Sequence, residues 1–356
     1  MEIFFLDVGQ SSCNVVLIGH KQAIVIDAGA GRGALPLRFL KRCGIERIAG
    51  LIITHSHSDH IGGATAILGE YGGNIDRIWF VDDGRFCNTM FWSRVKEFID
   101  EGTLPKTCLR RLEHDDSPQV VWTDRSSVAT LRVFAPIAAQ NLFSKQVNKQ
   151  NATSAVLILD YQSSQEHNRI VFGADSQLQE WKDIYGKDGT INCDVLGVPH
   201  HGGHVGGTDD DMKWLYGTAI NAKVAVISAA TTSKHHPRME VVEALTACGA
   251  SVMCSQISKK CTKNLEAARE NAIPMLHASQ SSNVSKFKTL PNKKPKSVKV
   301  PCAGTVRIEL GPNSLIVDSA HVHRQFVQSL PTSPICPMCR VGATEAAGED
   351  QDKPKS

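Results

Sequence analysis

The stretch Thr54–Gly63, "THSHSDHIGG", sets His55, His57, Asp59 and His60 close together and follows them with two glycines. Imidazole nitrogens and a carboxylate oxygen are the donors that zinc and similar divalent ions take. A loop of capping residues needs one Ser or Asp and explains none of the three histidines. The apolar run before the cluster, "GLII", reads as a strand, so the ligands are delivered at the edge of a sheet. Alternation then sets His55 and His57 on one side, while Asp59 and His60 at the following turn face a second point nearby. Two adjacent divalent metals fit that spacing.

Other polar residues close apolar runs further along. Asp27 ends "IVIDAG", Asp175 ends "IVFGAD", His200 and His201 follow "VLGVP", and Ser228 and His236 lie in "ISAATTSKHHP". Alone, an aspartate at a strand end is a turn residue. In this order, behind His-x-His-x-Asp-His, the set resembles the signature of the metallo-β-lactamase fold hydrolases. With "LDVGQ" at the start, it is most similar to one branch, the soluble hydrolase domain attached to the ComEC competence channel and its stand-alone relatives. The resemblance spans residues 1–254 and the strand near 304.

The resemblance implies an α/β fold, a four-layer αββα sandwich, with two divalent metal ions, zinc or manganese. It carries metal-ligand roles onto His55, His57, Asp59, His60, Asp175 and one of the His200–His201 pair. Of that pair, His200 is the expected ligand and His201 is expected beside the substrate. Asp27 would support the metal loop from behind, with Ser228 on the late strand. Many members carry one more histidine before the bridging aspartate, where this chain has Asn151 and Ser154; the site of His55 and His57 would be completed by water or an amide oxygen. "GQSSC" also departs from the branch's Gly-Gln-Gly-Asp-Ser.

Two cations beside a bridging carboxylate lower the pKa of a shared water and polarise the bond under attack. The expected reaction is hydrolysis without a side-chain nucleophile: Asp59 orients the attacking oxygen, and His236 or His201 stabilises the departing one. The branch points to phosphodiesters and to nucleic acid as substrate. Small esters, lactones or phosphoryl esters are the alternative, since the same centre polarises any ester. A degenerate binding scaffold is a third reading, against which the intact ligand set argues.

The elements that must position these residues are legible as short apolar runs: "EIFFLDV", "NVVLIG", "QAIVIDAG", "GLIITH", "RIWFV", "TLRVFAP", "SAVLILDY", "RIVFGAD", "CDVLGVPHH" and "KVAVISAA". Helical spacing separates several of them, in "LPLRFLKRCG", "FWSRVKEFI" and "RMEVVEALTACG". The alternation argues α/β layers, and tight early turns argue antiparallel pairs rather than a simple doubly wound sheet. A chain of 356 residues, 42% hydrophobic and 21% charged, can bury such a core. Its net charge of +3 is too slight to declare a polyanion partner by itself.

Strand periodicity is lost over residues 255–300, where "SKFKTLPNKKPKSVKV" carries six lysines and no acid, a track for phosphates or a solvated linker. "GTVRIELG" and "NSLIVDSA", within 301–320, read as closing strands. Residues 321–356 read as a tail in which His321, His323, Cys336 and Cys339 could hold a small structural zinc before disorder sets in. Eleven cysteines, an odd number, suit free thiols better than a disulfide framework. With no basic leader before "MEIFFLDVGQ" and no long apolar run, the expectation is a cytoplasmic chain with no membrane contact.

Overall fold

The computed structural model describes residues 1–30, 34–83, 89–113, 117–126, 128–137, 151–261, 268, 300–318 and 320–329. Fifteen strands are ordered along the chain among these residues: β1 Glu2–Phe5, β2 Asn14–Ile18, β3 Gln22–Ile26, β4 Arg47–Ile53, β5 Ile78–Phe80, β6 Leu109–Arg111, β7 Gln119–Thr123, β8 Ala129–Ala135, β9 Val156–Gln162, β10 His167–Phe172, β11 Ile191–Gly197, β12 Ile220–Ile227, β13 Ser251–Cys254, β14 Val306–Gly311 and β15 Ser314–Val317. The principal helices are α1 Ala34–Arg42, α2 Ser58–Ile61, α3 Ala64–Tyr71, α4 Met90–Asp100, α5 Leu178–Asp188, α6 Asp209–Trp214, α7 Met239–Ala247 and α8 Ala320–Ser329.

The strands form two sheets, one in the order β15-β14-β1-β2-β3-β4-β5-β6 and the other β13-β12-β11-β10-β9-β8-β7. Strand alternation explains how one apolar run serves two cores. Ile3 and Phe5 face the opposite sheet with Ile24, Ile26, Leu157, Leu159 and Phe172. Phe4 and Leu6, the residues between and beyond, face the helices, with Val15, Val25, Phe39, Ile67, Leu68 and Trp92. The second sheet repeats this: Val156, Ile158 and Leu196 turn toward Trp181, Ile184, Val241 and Leu245. Three apolar layers between four layers of structure make an αββα sandwich.

The early strands β1–β3 are antiparallel neighbours, as the tight turns require. From β3 onward the first sheet is parallel through β4, β5 and β6. In the second sheet β10, β11, β12 and β13 are parallel. The C-terminal ends of β3, β4, β10, β11 and β12 therefore release Asp27, His55, Asp175, the His200–His201 pair and the loop to His236. In open parallel sheets such ends carry the ligand sites.

β14 pairs with β1, Glu2 opposite Glu309 and Phe5 opposite Val306, and with β15, so the strands read in "GTVRIELG" and "NSLIVDSA" extend the first sheet beside β1. The tail expected from residue 321 gives way at Ala320–Ser329 to a helix that buries His323, Phe326 and Val327. Its polar composition concealed one short apolar stripe. The lysine-rich run 286–299, Cys336 and Cys339 lie outside the described residues. No helix among the described residues is long and apolar enough to cross a membrane.

Candidate metal centre

Asp27 is the anchor of the site. It is fully buried, its Oδ1 accepts the Thr54 N–H at 2.9 Å, and its Oδ2 accepts the Thr54 hydroxyl at 2.8 Å. His60 Nδ1 lies 2.7 Å from the same Oδ2, which turns Nε2 of that ring the other way, toward Asp175. A histidine held through one ring nitrogen presents the other in a fixed direction. The metal loop is also held by its backbone, Ser12 N donating to Asp59 O and Ala28 N to His60 O. Gly63 explains one of the two glycines after the cluster: a Cβ there would overlap the Ala28 carbonyl oxygen.

Two groups of donor atoms result, His55–His60–Asp175 and Asp59–His60–His201, with His60 common to both. His60 Nε2 is 3.1 Å from Asp175 Oδ1, and His55 Nε2 is 3.7 Å from Asp175 Oδ2. His201 Nε2 lies 3.5 Å from both Asp59 Oδ2 and Asp175 Oδ1. His57 sits at the rim with Nδ1 3.1 Å from His55 Nε2. Ser154 accepts the Asp175 N–H at 3.0 Å and touches His55 Nδ1 at 3.3 Å, so it supports both residues from below. Asn151 opens the turn that leads to Ser154, and its Oδ1 is a buried oxygen without a hydrogen-bond partner.

The histidine pair is arranged in the reverse of the expected order. His201 is 4% exposed and enters the donor group, while His200 is half-buried and its Nδ1 donates to His204 O at 2.9 Å. Both residues have left-handed backbone, φ 51° and 55°, as do Asp27 at 57° and Ala174 at 44°. These are the four non-glycine residues with positive φ among those described, and all border the site. Such strain costs about 1–3 kcal/mol per residue and persists where the surroundings over-determine it, which points to function.

His236 stacks at the edge, its ring centroid 5.5 Å from His200 and 6.4 Å from His201. Gly203 permits this, since a Cβ there would strike the His236 ring. Ser228 lines a cavity of about 20 Å³ beneath the centre with Ser12, Asn14 and His201, room for one water. Sequence reasoning passed over Asp83, which accepts the Ser56 N–H at 2.9 Å and so holds the loop between His55 and His57. The acidic pair after "RIWFV" was the available signal.

Electrostatics follow from burial and proximity. Burial and the neighbouring His60 pull His55 well below the usual imidazole range, leaving it neutral. Burial would do the same to His60, but the Asp175 and Asp27 carboxylates on either side overcome it and hold its pKa well above that range. Burial alone would raise Asp175; His60, His201 and His55 hold it well below the usual carboxylate range. Asp59, partly buried, is brought down to about 2 by His201 and His60. His236 falls to about 4 through burial and the adjacent His200 and His201.

The residues fit divalent metal. His60 Nε2, Asp175 Oδ1 and His201 Nε2 are buried polar atoms that make no well-formed hydrogen bond, and they converge on one point. Orphaned donors of this kind are costly unless something binds them. A mixed nitrogen and carboxylate set suits zinc or manganese.

Residues 7–79 match the model of the Metallo-beta-lactamase superfamily. That stretch contains Asp27 and the whole His-rich loop, and the two-sheet sandwich is a metallo-β-lactamase-type fold. No curated protein matches the chain in sequence. Solved structures similar to it include human tRNase Z, short form, at 13% identity and TM-score 0.41, covering 64% of this chain and 92% of that one. The class B3 di-zinc metallo-β-lactamase from an Alaskan soil metagenome is 14% identical with TM-score 0.34, covering 54% and 76%. A subclass B3 enzyme from a soil metagenome library is 14% identical with TM-score 0.34, covering 56% and 80%.

Proposed function

We propose that this chain is a metal-dependent hydrolase that cleaves phosphodiester bonds of nucleic acid. The observation that carries the hydrolase reading is the convergence of three buried atoms that make no well-formed hydrogen bond: His60 Nε2 and His201 Nε2 face Asp175 Oδ1 within 3.1–3.5 Å. His55, His57, Asp59, His60, Asp175 and His201 would hold two divalent ions, zinc or manganese, with Asn151 as an amide donor to the His55 and His57 side. When bound, such ions supply Lewis acidity and a water acidic enough to attack at neutral pH.

The chain's own residues do the rest. Asp59 is ionised and a third exposed, so it accepts a hydrogen bond from an incoming water and orients it without storing its proton. His236 is neutral at pH 7 and half-buried; it stabilises a departing oxygen as a neutral hydrogen-bond donor rather than as an imidazolium acid. Asp27 and Ser154 fix the rings of His60 and His55. His201 belongs to the centre, which leaves His200 as the member of the pair facing outward.

Support for phosphodiesters comes from the resemblance to the ComEC-associated branch and from a groove of about 540 Å³ beside the His236 loop. His235, Arg238, Met239, Glu240 and Lys260 line it. Cationic side chains next to a hydrolytic centre suit a polyanion's neighbouring phosphates. The test is cleavage of labelled single-stranded DNA, duplex DNA and RNA by zinc- or manganese-loaded protein beside Asp59→Ala. The expected result is cleavage that falls roughly 100-fold or more in the variant and weakens steeply with added salt. Hydrolysis of a small ester that ignores salt, with no polymer cleaved under either metal, would replace the phosphodiester reading.

A further inference from the structure

His236 sits in a turn whose own backbone does not close it. Pro237 has no N–H to give, and the Arg238 N–H is engaged by Gly202 O at 2.8 Å, so neither residue donates back to the turn's carbonyls. Lys260 reaches them instead: its Nζ donates to His235 O at 3.3 Å and to Pro237 O at 3.2 Å. One side chain therefore holds the carbonyls immediately before and after His236.

Lys260 is the last of three side chains from one short segment that act on this loop. After β13, Ser255 Oγ accepts the Ala229 N–H at 2.9 Å and donates to Ala229 O at 3.0 Å, and Gln256 Oε1 accepts the Thr231 N–H at 3.0 Å. The segment is itself fixed, with Ile257 N donating to Val300 O, and Cys302 N and Gly304 N donating to Ser255 O. Residues 229–237, which lead from β12 toward α7, are thus tethered from their start to their end by residues 255–260.

The ring of His236 has no tether of its own. Its Nδ1 is buried and makes no hydrogen bond, while its backbone N–H donates to Ser233 Oγ at 3.0 Å. A histidine not held through a ring nitrogen points where its backbone and its packing put it. Arg238 lines the same groove as Lys260 but pairs with Glu240 at 3.1 Å. Lys260 is the groove's cation that is tied to the turn.

We propose that Lys260 is the positioning residue of His236, holding its ring where the departing oxygen of the substrate forms. The inference rests on the reading of His236 as the group that stabilises that oxygen. Misplacing such a group by about 1 Å costs roughly 100-fold in rate.

The test compares wild type, Lys260→Met and Lys260→Arg. Methionine keeps the aliphatic stem of this half-exposed side chain, arginine keeps its donors, and circular dichroism checks that both are folded. In the full chain carrying isotope-labelled histidine, with and without zinc, the His236 ring resonance is assigned by its loss in His236→Ala. It should shift and broaden in Lys260→Met and return toward its wild-type position in Lys260→Arg, while the His60 and His201 resonances stay in place.

Hydrolysis of the p-nitrophenyl and phenyl esters of thymidine 5′-phosphate gives the second readout, since p-nitrophenolate leaves without help and phenolate does not. Lys260→Met should lower kcat roughly 10- to 100-fold on the phenyl ester, far less on the p-nitrophenyl ester, and leave KM unchanged on both. In a His236→Ala background the same substitution should cost nothing more. An unmoved His236 resonance in Lys260→Met overturns the proposal. So does a raised KM with unchanged kcat, which makes Lys260 a phosphate contact of the groove. If wild type cleaves neither ester under zinc or manganese, the phosphodiester reading falls by itself, and the His236 resonance still decides whether Lys260 positions the ring.

Discussion

At the scale of single residues, the chemistry of the site is a problem of holding unlike groups in fixed directions. Asp27 shows it best, with one carboxylate serving Thr54 twice and His60 once. Replacing it by Asn keeps a side chain that tolerates left-handed backbone while removing the charge beside His60. Breaking a buried ion pair from one side costs about 3–5 kcal/mol, so urea unfolding of metal-free Asp27→Asn should show a loss near the lower end of that range; an unchanged midpoint would mean that Asp27 does not carry the loop. The histidine pair gives a sharper contrast. His201→Ala should lose one metal equivalent by elemental analysis, whereas His200→Ala should keep both. The sequence reading expected one of "HH" at the centre and preferred His200. It could not show which, because the left-handed backbone of both residues breaks the alternation from which sidedness is read.

At the scale of elements, apolar runs bounded by turns identified the long strands and the polar residues they release, since strands buried on both faces read as continuous hydrophobic sequence. The pieces that escaped lack that signal. β6 and β7 lie at sheet edges and are largely exposed or half-exposed, and α5 and α6 are amphipathic helices whose polar faces dilute the pattern. Asp83 was missed for a related reason, because a strand of three residues does not mark its own end clearly. α5 also holds a titratable group in its first turn. Burial pushes Glu180 up to about 7, even though its carboxylate accepts the Gln177 N–H at 2.8 Å. A carboxyl whose folded pKa is raised stabilises the fold fully below its unfolded value near 4.5, and that contribution is lost as pH rises through about 7. The loss amounts to about 3 kcal/mol at about 1.4 kcal/mol per pH unit. Glu180→Gln keeps the accepting oxygen without the charge. It should melt at a higher temperature than wild type at pH 8 and at the same temperature at pH 4, by calorimetry; equal melting at both would refute the burial argument.

At the scale of the whole molecule, the chain closes on itself, and this decides where the domain ends. The sequence reading sets a hydrolase core in residues 1–254 with closing strands in 301–320, and β1, which starts that core, pairs on one side with β14. Val306, Ile308 and Leu310 from β14 are buried between the sheets with Ile3 and Phe5. At about 1.5–3 kcal/mol for each buried side chain, these three contribute about 5–9 kcal/mol, comparable with the whole margin of an ordinary domain, about 5–15 kcal/mol. A fragment ending at Cys254 also leaves the N–H and C=O groups of β1 without their partners along one edge, an invitation to aggregate. Residues 1–254 should therefore show no cooperative melt by circular dichroism, while residues 1–329 should melt cooperatively and retain metal binding at the His-rich centre. The same logic links distant ends of the chain to the site: Gln256 donates to Asp7 at 2.8 Å and accepts from Thr231 at 3.0 Å, joining the first strand's end to the loop that carries His236. If the shorter fragment folds cooperatively and binds metal, β14 is an accessory strand; if it does not, the metal centre depends on a closure that spans nearly the full described chain.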